Sequence, residues 1–346
     1  MNLEYDPLEI QFQETIKITL SQSDEGSVWD SLLAIGALGY TVPVELGGYD
    51  LGETTNLLVC SELGRIGIVS PYIETITISD ICQLDSINDR ETLTSIVEGN
   101  HSYSLLYSRD LLKAEVLNNK LLISGELTSS LNIKELDFIY LLLSWENNSY
   151  VISVKKEQML QKITPVDDKN TENIYIVNFS NFEINNYYEI SESEVNFIYK
   201  NLLMRQAAYL QGLTEGALNE TVEYTKIRRQ FNSKLIDFQS IQFTLAEIFA
   251  ELEAMKMKLN YTTWKLENNA LSVIDSLETL ALISEKALYA SRKCIHYHGA
   301  YGMTKQAKIS KYYTLVINEV NRYAKYKDLW KEISNLKKEQ QISYQI

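Results

Sequence analysis

Residues that cross-link chains or bind metals are scarce in this sequence. Its 346 residues include 3 cysteines and 3 histidines. Cys60, Cys82 and Cys294 are odd in number, widely separated and without a CxxC spacing, so we expect reduced thiols and no disulfide framework. His296 and His298 stand two residues apart, but no carboxylate or cysteine accompanies them at ligand spacing, and we predict no metal site.

Long apolar runs and targeting signals are also missing. No stretch reaches the roughly 18 uninterrupted apolar residues of a membrane-spanning helix. The opening MNLEYDPLEIQFQ has neither the basic leader nor the apolar core of a signal peptide. We therefore expect a cytoplasmic protein without membrane partners. A composition of 45% hydrophobic and 23% charged residues is that of a globular protein, and the length suggests two or three domains.

Positive charge is in short supply overall but unevenly distributed. The formal net charge of −14 argues against non-specific nucleic-acid binding. Residues 201–346, however, hold 20 Lys and Arg against 15 Asp and Glu, and the preceding residues hold 12 against 31. The cations of the back half are either a solvated helical surface or a docking surface for a phosphate-bearing ligand or an acidic partner.

The hydrophobic period changes twice along the chain. It is helical at first, then gives way to short runs rich in β-branched and aromatic residues, separated by turn signals such as Asn118-Asn119 and Asn147-Asn148. It then becomes helical again. The prediction is an α+β fold with three domains: an N-terminal helical domain (1–98), a central antiparallel β barrel or sandwich (99–195) and a C-terminal four-helix bundle (196–346).

One seam of the last segment is especially regular, with apolar residues stepping by three and four. It consists of Phe238, Ile241, Leu245, Ile248, Leu252, Met255 and Leu259. Such a seam predicts side-by-side helix packing at a shallow angle.

Several sequence motifs follow one another along the chain: GYTVPVELGGYDL, SELGRIG, MRQAAYLQGLTEGAL with YTKIRRQF, FQSIQFTLAEI and HYHGAYGMT. In this order, across an α–β–α pattern, the chain resembles the acyl-CoA dehydrogenase family of flavoproteins. The resemblance implies FAD lying between the β domain and the C-terminal bundle. It also implies a homo-oligomer, dimer or tetramer, in which the basic helix end of one chain touches the cofactor of the other.

The basic phrase carries the first cofactor residues that the resemblance implies. Arg228 occupies the position that reaches the FAD diphosphate, which a guanidinium binds bidentately. Phe231 would lie beside the adenine, and Gln239 near the same nucleotide. The alternative is that Arg228 and Arg229 merely cap a helix C-terminus, favourable by about 0.3–1 kcal/mol.

Two further phrases match the family's cofactor contacts imperfectly. In HYHGAYGM, His296 stands where a glutamine is usual, Gly299 and Gly302 are retained, and Ala300 replaces a glycine, which is acceptable if its φ is negative.

In GELTSSLN, the phrase that corresponds loosely to the family's flavin contact, Ser129 and Ser130 would donate a hydrogen bond to the flavin, or else are turn residues.

The catalytic base is where the chain departs most from the family. The chemistry implied is removal of two hydrogens from an acyl thioester, with a glutamate as base. One usual position falls at or near Tyr323 and the other at Met204-Arg205, and neither holds a glutamate. Glu319, one helical turn before Tyr323, is the nearest carboxylate. Since a phenol with a pKa of about 10 is a poor base at neutral pH, Tyr323 is a catalytic candidate only with nearby cations, and is otherwise an ordinary helix residue.

Three functions follow from the resemblance. The first is FAD-dependent oxidation of an acyl thioester, an α-hydroxy- or α-aminoacyl group on an acyl carrier protein in polyketide or non-ribosomal peptide biosynthesis. The second is a flavin-dependent monooxygenase on the same fold, which needs no such base. The third is a non-catalytic subunit that retains the fold.

Overall fold

The computed structural model describes residues 7–24, 26–109, 111–129, 136–166, 174–323 and 326–343. The chain divides into two compact units, each made of separate segments. The first unit contains Met1–Ser31, Gly52–Val69 and Leu203–Ile346, and the second contains Leu32–Leu51 and Ser70–Leu202. The three-domain boundaries drawn from the sequence remain a prediction.

Helices make up the first unit. They are α1 (Pro7–Ser21), the start of α2 (Val28–Ala34), α3 (Glu53–Ile66), α7 (Glu192–Ile227) from Leu203 onward, α8 (Gln239–Glu267), α9 (Val273–Tyr297), the single turn α10 (Gly299–Gly302), α11 (Lys308–Glu319) and α12 (Tyr326–Ser343). A short 3-10 helix, Leu235–Asp237, precedes α8. Ser272 begins α9 with a capping box, because its side chain accepts from Asp275 N while the Asp275 carboxylate accepts from Ser272 N.

The predicted seam forms the buried face of α8. Ile241, Leu245, Ile248, Leu252, Met255 and Leu259 are all buried there, and α8 packs along α9, which also contacts α11 and α12. Phe238 is half-buried and is the residue just before the helix rather than part of it. Helix α8 thus buries the predicted seam and packs along α9 within a helical C-terminal region.

Helices α3 and α7 approach each other at glycines. A Cβ on Gly64 would lie 2.1 Å from Tyr209 O, and one on Gly212 would lie 1.9 Å from Ser61 O. Only residues without a side chain allow backbones this close. The Tyr312 hydroxyl donates to Arg65 O at 2.7 Å beside this crossing, so the SELGRIG and LQGLTEGAL phrases mark a helix crossing.

The described residues of the second unit form three helices, the end of α2, the start of α7 and two sheets. Its helices are α4 (Tyr72–Cys82), α5 (Arg90–Glu98) and the short α6 (Lys156–Met159), with 3-10 turns at Ala37–Gly39, Val44–Leu46 and Leu160–Lys162. Every residue of α4 is buried. Asp89 caps α5 by accepting from Thr92 N at 3.0 Å, and Gly99 ends it in the left-handed conformation.

The two sheets of this unit have four strands each. One has the order β1 (Tyr103–Arg109), β4 (Phe138–Trp145), β5 (Asn148–Lys155), β8 (Tyr188–Ile190); the other has the order β2 (Lys113–Leu117), β3 (Lys120–Ser129), β7 (Tyr175–Ile184), β6 (Ile163–Pro165). Five pairings are antiparallel, and the β1–β4 pairing is parallel. Both sheets are open, so the sandwich alternative is the one that fits.

Turn chemistry explains the hairpins. Asn118 and Asn119 both have positive φ between β2 and β3, as a two-residue hairpin requires. The second predicted turn is displaced by one residue: Glu146 and Asn147 form it, and Asn148 is the first residue of β5. The α+β fold class expected from the sequence is confirmed.

No helix in the described ranges is long and apolar enough to span a membrane. The three cysteines are buried and form no disulfide with one another, and burial raises the pKa of the Cys294 thiol to about 11.

Candidate functional site

A cavity of about 640 Å³ lies in the first unit, where segments far apart in the sequence meet. This volume is in the range of about 300–1,000 Å³ typical of ligand pockets. The residues that line it are Tyr224, Arg228, Gln230, Leu235, Ile241, His296, Tyr297, His298, Gly299, Ala300 and Tyr301. They come from the end of α7, the segment after it, the start of α8 and the corner between α9 and α10.

Arg228 brings a positive charge to this cavity. It follows the last residue of α7, its N–H donates to Tyr224 O at 2.9 Å, and its carbonyl accepts from Leu235 N. The backbone is thus fixed on both sides while the side chain is exposed. Within the described ranges its guanidinium has no hydrogen-bond or ion-pair partner. The Arg228 side chain therefore caps no carbonyl of α7 among the described residues.

A two-residue hairpin follows Arg228. Strands β9 (Arg229–Gln230) and β10 (Ser233–Lys234) pair around Phe231 and Asn232, which have φ of 51° and 64°. Asparagine tolerates this left-handed region, but a bulky residue in it is strained. Phe231 nevertheless sits at the tip with 89% of its surface exposed. A strained, exposed aromatic ring is typical of a residue placed to contact another molecule.

The α9–α10 corner supplies the opposite wall. His298 follows the last residue of α9 and is buried, and its ring stacks on Tyr224 with 4.1 Å between centroids. The Tyr301 ring lies parallel to that of Tyr224, with 10° between the planes. Gly299 has a φ of 59°, the left-handed conformation that ends α9, and the space around its Cα is open. A flat aromatic wall thus borders accessible backbone.

This donor set fits the nucleotide half of FAD. An unpaired guanidinium suits a diphosphate, aromatic faces suit an adenine ring, and the Nε2 atom of His298 is buried without a hydrogen-bond partner among the described residues. The guanidinium and the Nε2 atom each lack a partner among the described residues. Together they match a ligand that is anionic at one end and aromatic at the other.

The cavity brings together only part of the predicted cofactor set. Arg228, His296 and Gly299 line it, whereas Phe231 and Gln239 do not; Gln239 is the exposed first residue of α8. Gly302 does not line it either. A Cβ there would lie 2.7 Å from the His298 Cβ, so its glycine is explained by packing.

Ala300 stands where the family has a glycine. It is not among the residues with positive φ, so an alanine is acceptable at this position, as expected. Sequence reasoning missed Tyr224, His298 and Tyr301 as wall residues. The available signal was the position of Tyr224 in the last turn of α7, four residues before Arg228.

The flavin contact predicted in the second unit is only half described. Ser129 is the last residue of β3 and is buried. Ser130 lies outside the described residues.

The catalytic candidates lie in a second polar cluster of the first unit, which we call the Glu319 cluster: Gln206, Glu319, Arg322 and Tyr323. Glu319 is 2% exposed, and its Oε2 accepts from Gln206 Nε2 and from Arg322 Nη1, both at 3.0 Å. The Arg322 guanidinium lies 5.3 Å from the centre of the buried Tyr323 ring. The two candidates are therefore close together, and the carboxylate is held in an ion pair.

The other position where a base was sought is purely structural. Met204 is fully buried, and Arg205, also buried, forms a two-pronged ion pair with Glu53 at 2.5 and 2.7 Å. A paired guanidinium with no exposed surface has no capacity for proton transfer.

Comparison with known proteins locates relatives of this chain. Residues 204–316 match the family model described as acyl-CoA dehydrogenase, C-terminal domain. Over 323 residues the chain is 23% identical to acyl-CoA dehydrogenase FadE28 of Mycobacterium tuberculosis, covering 91% of this chain and 93% of that protein.

Solved structures share the fold along nearly the whole chain. The structure of the ChsE4-ChsE5 complex from Mycobacterium tuberculosis matches with a TM-score of 0.82 at 14% identity, covering 97% of this chain and 98% of that one. The prolyl acyl carrier protein oxidase AnaB matches with a TM-score of 0.79 at 17% identity, covering 96% and 99%. At these identities the likeness concerns the fold.

Proposed function

The chain is a divergent member of the acyl-CoA dehydrogenase family, whose enzymes are FAD-dependent oxidoreductases, and we propose that it oxidises an acyl thioester carried on an acyl carrier protein. The acyl group is an α-hydroxy- or α-aminoacyl group, as in polyketide or non-ribosomal peptide assembly. When bound, the flavin supplies a hydride acceptor. The residues of this chain then have three tasks: to hold the cofactor, to take a proton and to dock the carrier.

The cavity of about 640 Å³ lined by Arg228 and His298, which we call the nucleotide cavity, carries this proposal. Arg228 holds the diphosphate, and the wall formed by Tyr224, His298 and Tyr301 borders the adenine nucleotide. The cavity joins the YTKIRRQF and HYHGAYGM motifs in a single place. Two motifs that share a ligand need to meet in this way, and surface charges without a ligand do not.

The carrier-bound substrate is supported by a structural neighbour and by charge. AnaB, named for oxidation of a prolyl group on an acyl carrier protein, shares the fold over 96% of this chain. Carrier proteins are acidic, and residues 201–346 carry an excess of five positive charges within an acidic protein. Such an excess favours docking of an acidic partner.

Glu319 and Tyr323 remain the candidates for proton transfer. For Glu319 to act, its Oε2 would have to give up the bond from Gln206 or Arg322. Arg322 lies over the Tyr323 ring and is the cation that would favour a phenolate there. We propose Tyr323 or Glu319 as the base, with Arg322 in contact with both.

The partner of this chain is proposed to be a second copy. Phe231 is exposed at the hairpin before helix α8. The helix itself exposes Phe243, Met257 and Trp264, with 65%, 66% and 36% of their surfaces exposed. They lie at multiples of seven residues from one another, so they share one helix face of about 30 Å. An apolar stripe of this length on a soluble protein marks an interaction surface.

A supporting, non-catalytic subunit is the second candidate function. The observation in its favour is that Glu319 is tied into an ion pair while neither usual base position holds a glutamate. The ChsE4-ChsE5 structure, a complex of two named proteins, shares the fold. On this reading the nucleotide cavity would serve the cofactor of a partner enzyme.

The visible spectrum of the purified protein tests the proposal first. We expect bound or readily reconstituted FAD, and a colourless protein that takes up no FAD would refute the oxidation. Anaerobic mixing with acyl-CoA and acyl-carrier thioesters then separates the alternatives. Bleaching by the carrier thioester alone supports the proposed reaction. A requirement for NAD(P)H and oxygen indicates the monooxygenase, and a stable flavin that no thioester bleaches indicates the supporting subunit.

A further inference from the structure

The His298 ring is the most enclosed polar group of the nucleotide cavity. It is 3% exposed, with Tyr224 stacked on one face at 4.1 Å. The Tyr224 hydroxyl turns away from the ring and donates to His298 O at 3.4 Å. The ring is therefore fixed in position by its neighbours, and its two nitrogens face different surroundings.

The hydrogen bonds of the ring determine its tautomer. Nδ1 lies 2.9 Å from Cys294 O, and a carbonyl oxygen can only accept, so Nδ1 carries the proton. Burial lowers the pKa of His298, which favours the neutral ring, while the carboxylate of Glu220 on α7 opposes this shift. In a neutral ring protonated at Nδ1, Nε2 has a free lone pair and is an acceptor.

No donor for this acceptor exists in the described part of the chain. Nε2 is buried and has no hydrogen-bond partner there. Among the other lining groups with exchangeable protons, Arg228, Gln230, His296 and Tyr301 are exposed and Tyr297 is half-buried, and none of them bonds to Nε2. Buried polar atoms are usually paired, and a ligand in the cavity that His298 lines would supply a donor.

We propose that His298 Nε2 accepts a hydrogen bond from the exocyclic amine of the adenine ring in the nucleotide that Arg228 binds by its diphosphate. This inference rests on the proposed function. The amine is favoured over a ribose hydroxyl because the adenine ring can lie flat along the Tyr301 face, parallel to Tyr224. His298 would thereby select adenine over a base with a carbonyl at the same position, since two acceptors repel.

The test uses the full-length protein stripped of flavin, titrated with ADP and with IDP by calorimetry. IDP has a carbonyl oxygen where ADP has the amine. A hydrogen bond of ordinary strength predicts that ADP binds roughly 5–15-fold more tightly. Equal affinities would overturn the assignment, and 2′-deoxy-ADP identifies the ribose hydroxyl as the donor if it alone binds weakly. Failure of both ADP and IDP to bind would instead remove the nucleotide site itself.

Two variants of His298 separate the acceptor from the fold. In His298→Asn the shorter amide can still donate to Cys294 O but has no atom at the Nε2 position, so the preference for ADP should fall to about 1. In His298→Gln the longer amide can present an oxygen near that position, so part of the preference should return. His296→Asn, at an exposed lining residue, is the matched control and should keep the wild-type ratio.

Thermal unfolding is measured beside each titration. A His298→Asn protein that keeps both its melting temperature and its ADP preference would overturn the inference. If that variant does not fold, the ratio of ADP affinity to IDP affinity in the wild-type protein still tests the inference, because its measurement requires no substitution.

Discussion

Two polar clusters of the first unit make opposite use of charge. In the Glu319 cluster, the buried carboxylate accepts from Gln206 and Arg322 of the same chain. At the nucleotide cavity, the Arg228 guanidinium and His298 Nε2 have no partner among the described residues. The Glu319 carboxylate is thus paired within its own chain, although Gln206 Oε1 of the same cluster has no partner among the described residues. The Arg228 guanidinium is exposed and unpaired there, so it is open to a ligand.

This contrast bears on the missing glutamate. The chain has a carboxylate at 319, near the expected place of the base, but the tertiary structure pairs it with Arg322 at 3.0 Å. Among the described residues the Arg228 guanidinium is unpaired, whereas the Glu319 carboxylate is paired. An unpaired arginine together with a paired carboxylate is compatible with both proposed functions, an altered oxidation and a supporting subunit, and the anaerobic thioester experiment separates the two.

The largest effect is expected from breaking the Glu319 cluster. Replacing Glu319 with Ala leaves the buried Arg322 without this carboxylate, which should lower the free energy of unfolding by about 3–5 kcal/mol. Urea unfolding followed by circular dichroism measures it. The control is Glu253→Ala, which breaks the Lys256–Glu253 pair of half-exposed side chains and should change stability by less than about 1 kcal/mol. A Glu319 variant as mild as this control would show that the cluster is not structural.

The next largest effect is expected at the other cluster. Arg228→Ala should weaken FAD retention about 10–100-fold, because charged hydrogen bonds contribute about 1.5–3 kcal/mol, and should leave the melting temperature unchanged. Flavin content after gel filtration measures it. Arg229→Ala, a neighbouring exposed arginine outside the cavity lining, is the matched control. Equal flavin loss in both variants would indicate a general charge effect, and none in either would remove the role of Arg228.

A smaller effect is expected at the hairpin beside Arg228, where a substitution should stabilise the protein rather than destabilise it. Phe231 has a φ of 51° and its ring is exposed, so Phe231→Gly should relieve strain and raise the free energy of unfolding by up to about 1 kcal/mol. It should also weaken self-association, measured by sedimentation. Ser233→Gly, on the adjoining strand with φ outside the left-handed region, should not stabilise the protein. A destabilised Phe231→Gly would mean that the edge contact of the ring with Phe238, at 6.5 Å between centroids, outweighs the backbone strain.

The smallest effect concerns pH. Because burial lowers the pKa of His298 in the folded protein, the unfolded chain binds more protons near the ordinary histidine pKa of about 6.5. Stability from this residue is therefore complete above that pH and declines as the pH falls below it. The unfolding free energy of wild-type and His298→Asn proteins should converge as the pH is lowered through this range. Parallel pH profiles would contradict a neutral, buried His298.

The sequence went far toward the fold because its signals were local. The steps of three and four from Ile241 to Leu259 predicted the buried face of α8, and the Asn118-Asn119 pair predicted a hairpin turn that the structure confirms. The parallel pairing of β1 with β4 escaped prediction, since it joins strands separated by β2 and β3 and leaves no local mark.

The sequence by itself determined the order of elements, the family resemblance and the position of the basic motif, because periodicity, glycines and charge clusters are properties of neighbouring residues. Only the tertiary structure decided which polar groups are satisfied. It paired Glu319 with Arg322, brought Tyr224 against His298 and left Nε2 without a donor. Hydrogen-bond pairing and burial depend on residues distant in the chain, and no local pattern carries that information.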